Sequence, residues 1–193
     1  MKELPTRKDI RLKGYDYSSA GYYFITICVK DKNEILGKIV GDAHPDTQPV
    51  GDAHWASRPS AMDDNARIKP GDAHPGVPFV ELTETGKMVQ QYIENIHTVY
   101  KNIKIDKHVV MPNHIHMIVI IEPGVPGCVS PTKPMLAKVI NALKSLTTRQ
   151  YGKPLWQRSY HDHIIRDEPD YLRIWQYIDE NPQKWNEDCY FTG

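Results

Sequence analysis

Apolar and polar positions recur along this chain with two different periods, and the switches between them mark its elements. Tyr22-Tyr23-Phe24-Ile25-Thr26-Ile27-Cys28-Val29 is dense in aromatic and β-branched residues, which suit a pleated surface, and predicts a first strand. Residues 35–40 extend or pair with it. From Thr83 to about Lys101, Met88, Tyr92, Ile96 and Val99 recur at near-helical spacing, with Thr83 or Thr85 available as a cap. Ile103 to Met111 predicts a second strand, Pro112-Asn113 a turn, and the run to Ile121 a third. Leu136, Val139, Ile140, Leu143 and Leu146 form the stripe of a helix that reaches Tyr151 and stops at Gly152. Trp156 to Ile165 is strand-like. Asp167-Glu168-Pro169-Asp170 then opens a last helix with an acidic cap and an early proline. That helix ends near Asn181, because Pro182 disfavours helical backbone in the residue before it. The order strand–helix–strand–strand–helix–strand–helix predicts an α+β fold. A ferredoxin-like sandwich fits it, with an antiparallel sheet, helices on one face and a further C-terminal helix.

One stretch departs from both periods. Residues 41–79 are rich in Pro, Gly and Asp and hold three copies of Gly-Asp-Ala-His, at 41–44, 51–54 and 71–74. The copies are unevenly spaced and have little to bury, which argues against a solenoid. They predict a flexible insertion in a single domain spanning 1–193. A metal site built from the repeated histidines is the less favoured reading.

The formal net charge is zero, so the total says nothing about a polyanionic partner, but the distribution does. Between Glu122 and Asp162 there is no acidic residue, whereas Lys133, Lys138, Lys144, Arg149, Lys153 and Arg158 all fall there. Lys2, Arg7, Lys8, Arg11 and Lys13 crowd the N-terminus. A neutral protein built this way can present a basic face to phosphate. Three well-separated cysteines without a CxxC signal neither a zinc finger nor a disulfide framework. No signal-peptide core or membrane-length apolar run is present, so the expectation is a soluble cytoplasmic protein that meets no membrane.

The candidate chemistry begins in the third strand, Met111-Pro112-Asn113-His114-Ile115-His116-Met117-Ile118. Residues two apart in a strand face the same side, so His114 and His116 project together while Ile115 turns into packing. Two imidazoles aimed at one spot begin a divalent-metal site; the plainer alternative is a pair lining a half-buried sheet face. In the last helix Tyr171, Ile174, Trp175 and Ile178 make the apolar stripe. Tyr177 lies at its edge, with Asn181 one turn on along the same side. A phosphodiester repels anionic nucleophiles, so its cleavage calls for charge neutralisation and orientation by a cation. A tyrosine hydroxyl can then attack and split one difficult transfer into two. Tyr171 and Tyr160 compete for that role, although the apolar stripe and the strand respectively argue that they pack.

Three segments together carry a resemblance. Val110-Met111-Pro112-Asn113-His114-Ile115-His116, then Trp156-Gln157-Arg158 with His161-Asp162-His163, then Asp170-Tyr171 with Tyr177-Ile178 and Asn181-Pro182 resemble the single-tyrosine HUH transposases. Within these, the chain is most similar to the REP-associated tyrosine transposases, over most of its length outside 41–79. The resemblance implies a ferredoxin-like nuclease that cuts and rejoins single-stranded DNA beside a hairpin. It implies His114 and His116 as metal ligands with Asn181 as the third, Mg²⁺ or Mn²⁺ as the ion, and Tyr177 as a nucleophile forming a 5′-phosphotyrosine. Expected DNA contacts are Arg7, Lys8, Arg11, Lys138, Lys144, Arg149 and Arg158, joined by His161 and His163 unless these two make structural hydrogen bonds. Tyr151, Trp156 and Tyr160 are available to stack on bases. The implied partner is single-stranded or hairpin DNA, handled by a monomer or a homodimer, and nucleoid-associated action in a bacterial cytoplasm follows. A domesticated hairpin-binding protein without catalysis is the alternative, and a water-activating metal hydrolase a third. The Gly-Asp-Ala-His insertion lies outside the family pattern.

Overall fold

The computed structural model describes residues 15–41, 77–123 and 135–191. The basic N-terminal residues Arg7, Lys8 and Arg11, most of the Gly-Asp-Ala-His stretch and the loop after Pro123 lie outside the described residues.

Four strands build the main sheet: β1 (Gly21–Cys28), β4 (Ile103–Val110), β5 (His114–Ile121) and β6 (His161–Ile165). They run in the spatial order β4-β5-β1-β6, and every pairing is antiparallel. A helical connection follows the first sheet strand and another follows the third, which is the ferredoxin-like arrangement. A separate two-stranded ribbon pairs β2 (Gly37–Val40) with β3 (Phe79–Leu82). The helices are α1 (Glu84–Glu94), α2 (Ile96–Val99), α3 (Met135–Tyr151) and α4 (Glu168–Glu180).

The sheet is covered on both faces. Tyr23, Ile25 and Ile27 of β1 join Ile115, Met117 and Val119 of β5 on one face, where Val89 and Ile93 of α1 and Leu136, Ile140 and Leu143 of α3 complete the main core. On the other face Ile118 and Ile165 meet Ile174 and Ile178 of α4 in a smaller core. Burial on both sides explains why β5 reads as a nearly continuous apolar run, with only Ile120 less than fully buried. His114 and His116 share parity with Ile118, so they stand on the α4 face. Among the described residues no helix is long and apolar enough to cross a membrane.

Several boundaries differ from the sequence expectation for identifiable reasons. Residues 37–40 pair with β3 and not with β1, because both edges of β1 are taken, one by β5 and the other by β6. The helix from Thr83 breaks at Asn95, whose carbonyl accepts from the Thr98 hydroxyl, and a separate turn follows. The last strand begins at His161 and not at Trp156. The carbonyls of Gln157, Arg158 and Ser159 turn to the ammonium of Lys144, at 2.7, 3.1 and 3.3 Å, so they are not offered to a neighbouring strand. Trp156 bridges Val29, is buried, and donates its indole N–H to Thr147 Oγ1 at 2.8 Å.

Thr83 caps α1 by accepting from Gly86 N at 3.1 Å, while its own hydroxyl donates to Ile35 O at 2.7 Å. This seats α1 so tightly on the chain before β2 that a Cβ at Gly86 would lie 1.9 Å from Leu36 O.

Candidate active site

β5 sets the two imidazoles side by side, with their Nε2 atoms 2.9 Å apart. Each ring is held from behind. Asn113 directs its amide nitrogen to Lys32 O at 3.2 Å and Tyr190 O at 2.8 Å, which fixes the amide's orientation and leaves Oδ1 to accept from His114 Nδ1 at 2.9 Å. His114 is therefore protonated on Nδ1, and its Nε2 carries a lone pair. His116 Nδ1 meets the Thr26 hydroxyl at 2.8 Å, across the β1–β5 pairing that puts these two residues opposite each other. A hydroxyl rotates to donate or accept, so Thr26 tolerates either tautomer of His116. Burial pushes the His114 pKa down to about 4, against a smaller upward pull from the Asp188 carboxylate and the Asn181 amide. Burial, helped by the neighbouring His114, holds His116 well below the usual histidine range. Both rings are neutral at neutral pH, as metal ligands must be.

α4 brings the remaining groups. With Ile174 and Ile178 buried against the sheet, Tyr177 and Asn181 turn along the adjacent side. Tyr177 Oη lies 3.2 Å from His116 Nε2 and donates to Asp188 Oδ2 at 3.3 Å. Its ring stands edge-on to Phe24, which stacks on His116. Burial first, then the Asp188 charge, raises the phenol's pKa, so the protein alone does not ionise it. Asn181 is buried and donates to Asp188 Oδ2 at 2.8 Å, whereas its own Oδ1 is buried without a hydrogen-bond partner.

Asp188 was not identified from the sequence. It follows a short turn, Trp185–Glu187, in a stretch whose only local signal is the aromatic residues Trp185, Tyr190 and Phe191. The ligand atoms of His114, His116 and Asp188 all lie within 4.8 Å of one another. Two nitrogens sharing an octahedral ion at right angles are about 3 Å apart, close to the spacing of the histidine pair. Two neutral imidazoles, a carboxylate and a buried amide oxygen lacking a donor form a set that fits a divalent cation. An amide oxygen left unsatisfied is otherwise costly.

The other expected site residues separate. Tyr171 donates its hydroxyl to Asp106 on β4, and Tyr160 is buried in the main core, so neither hydroxyl joins Tyr177 at the histidine pair. Lys144 directs its ammonium to three backbone carbonyls and holds the connection before β6. Arg149 and Arg158 are exposed and Lys138 is half-buried. The sheet register aligns His161, Thr26 and His116 in one row across β6, β1 and β5, so exposed His161 stands on the same face about two strand spacings from His116. His163 bonds Asp170 Oδ2 at 2.7 Å.

The family model described as IS200-like transposase matches residues 80–181, more than half of the chain, from within β3 through Asn181. The chain belongs to the IS200-like transposase family. It is a transposition-related protein of the DNA-handling kind, and the matched segment contains the histidine pair and Tyr177. The chain is 32% identical over 200 residues to an uncharacterized protein of Haemophilus influenzae, covering 94% of this chain and 91% of that one. Its fold matches that of a REP-associated tyrosine transposase bound to a REP hairpin, with a TM-score of 0.56 at 18% identity, over 91% of this chain and 73% of the other.

Proposed function

We propose that this IS200-like transposase cuts and rejoins single-stranded DNA beside a hairpin, with Tyr177 as nucleophile and His114, His116 and Asn181 holding Mg²⁺ or Mn²⁺. The observation that carries the reading is Tyr177 Oη at 3.2 Å from His116 Nε2, which puts a phenol oxygen next to the cation's proposed donors. The bound ion supplies positive charge that polarises the scissile phosphate. The protein's own groups do the rest. Asn113 and Thr26 hold the imidazoles in orientation, and Ile174 and Ile178 fix the helix that presents Tyr177. The phenol's O–H points at Asp188 Oδ2, which leaves an oxygen lone pair for phosphorus.

Attack of Tyr177 Oη on phosphorus breaks the P–O3′ bond, giving a 5′-phosphotyrosine and a 3′-hydroxyl. Because the tyrosyl phosphodiester replaces the one broken, attack by a 3′-hydroxyl can rejoin the strand without an energy source. α4 packs on its own sheet, which supports one chain completing a site alone. Arg149, Arg158, Lys138 and His161 are proposed phosphate contacts among the described residues, and Arg7, Lys8 and Arg11, outside the described residues, are proposed as further ones. The REP hairpin of the solved relative suggests the class of DNA.

The test is incubation with end-labelled single strands carrying candidate hairpins, with Mn²⁺, Mg²⁺ or chelator. The reading requires metal-dependent cleavage that leaves a free 3′-hydroxyl and a protein-linked 5′ end. Tight hairpin binding with no cleavage under any of these conditions would instead establish a binding protein.

A further inference from the structure

The ligands proposed for the cleavage reaction, His114, His116 and Asn181, come from β5 and the end of α4, yet the group that brings negative charge to the site, Asp188, comes from beyond them. We propose that Asp188 is also a ligand of the divalent cation, so that cation binding and docking of the C-terminal segment 183–191 are one event. The proposal rests on reading the histidine pair as a cation site and adds a donor and a consequence to it.

Three observations point the same way. The ligand atoms of His114, His116 and Asp188 lie within 4.8 Å of one another. Asn181, 2% exposed, leaves Oδ1 buried and unpartnered while its nitrogen binds Asp188, so the amide bridges the carboxylate and the region that lacks a donor. The half-buried Asp188 carboxylate receives hydrogen bonds from Asn181, Tyr177 and Tyr190 N. Among the described residues no Lys or Arg forms an ion pair with it. The nearby Lys32 ammonium donates to Cys189 O and forms no ion pair with the Asp188 carboxylate, so the carboxylate stands beside two neutral imidazoles without a directly bonded cation. A divalent metal ion fills that role.

The backbone around Asp188 is seated by the same residues that hold the histidines. Asn113, which orients His114, also donates to Tyr190 O at 2.8 Å. The Tyr190 ring lies 4.6 Å from that of His114, and Trp185 is buried with its ring 5.8 Å away. Lys32 donates to Cys189 O at 3.2 Å. A cation pulling on Asp188 therefore tightens the segment against β5, and a segment that leaves takes one of the cation's donors with it.

The experiment uses the full chain without DNA, so that it does not depend on cleavage. Free Mn²⁺ is followed by electron paramagnetic resonance during titration of the native protein and of Asp188→Asn, which keeps the side chain's shape and loses its charge. Hydrogen exchange is measured with and without Mn²⁺. The proposal predicts at least tenfold weaker Mn²⁺ binding by Asp188→Asn. In the native protein, Mn²⁺ slows exchange at residues 185–191, and this protection disappears in the variant. Unchanged Mn²⁺ affinity in a folded Asp188→Asn protein overturns the proposal and leaves the histidine site standing. Should the variant fail to fold, the native protein decides: Mn²⁺ protection confined to β5 and α4 also overturns it. No Mn²⁺ binding by the native protein overturns both readings.

Discussion

Tyr177 Oη and His116 Nε2 stand 3.2 Å apart although 61 positions separate them in the chain. The closeness comes from two independent periodicities meeting across one sheet face. The alternation of β5 turns both histidines toward α4, and the helical repeat sets Tyr177 one step round from the buried Ile174 and Ile178. Small rotations of α4 therefore translate into displacement of the phenol from the histidine pair.

The buried Ile174 and Ile178 resist such rotation, and polar contacts add to them. The apolar seat of α4 rests on few side chains, and a second attachment forms at β4, where the register slips between Ile105 and Lys107. Lys107 pairs with Asp179 and places its ammonium 3.8 Å from the centre of the Trp175 ring, and Asp106 accepts from Tyr171. Lys107→Met keeps the stem and removes the charge. We expect a stability loss of about 1 kcal/mol, since a partly exposed pair and one cation–π contact are each worth about that or less. Single-turnover adduct formation at saturating DNA should fall by about tenfold with DNA affinity unchanged, and Lys107→Arg should restore most of it. A uniform loss of DNA binding instead would mean that Lys107 contacts DNA.

Asn113 is 1% exposed and serves Lys32 O, Tyr190 O and His114 Nδ1 together. Asn113→Ala leaves two carbonyls and one ring N–H without their partner. Urea unfolding should show a loss of roughly 2–4 kcal/mol. Mn²⁺ affinity should drop by about 10- to 100-fold, the usual effect of removing a group that orients a metal-binding histidine. A stable variant with native Mn²⁺ affinity would show that Asn113 does not orient His114.

Two glycines separate close approach from backbone strain. Gly86→Ala drives a Cβ to 1.9 Å from the Leu36 carbonyl, which must move with β2 or α1. The expected loss is about 3 kcal/mol or more, at the upper end of overpacking effects. Gly152 has φ +84° with open space around it, so Gly152→Ala meets only the left-handed backbone penalty of about 1 kcal/mol. Chemical denaturation of both variants checks the order, and an equal effect would contradict the packing of α1 on Leu36.

Features set by local repeats could be read from the sequence, and features set by distant contacts could not. The histidine pair follows from alternation in β5, and the companionship of Tyr177 with Asn181 follows from helical spacing. Pairing of residues 37–40 with Phe79–Leu82 was not legible, because the two short segments flank the long Gly-Asp-Ala-His stretch and carry almost no pattern of their own. Lys144 reads in the sequence as a phosphate contact, yet its role is set by three carbonyls thirteen to fifteen residues away. Asp188 escaped notice for a similar reason. It belongs to no periodic element, and its place depends on Asn113 and Lys32 holding the backbone beside it.

The central claim is that Tyr177 forms the covalent bond to DNA. It is tested most directly by digesting the protein–DNA adduct formed with Mn²⁺ and locating the modified peptide by mass spectrometry. The account predicts a nucleotide phosphate on Tyr177 within the α4 peptide, and no adduct from a Tyr177→Phe protein that still folds and binds the same hairpin. A phosphate on Tyr171, Tyr160 or Tyr190, or an adduct that persists in Tyr177→Phe, would contradict it.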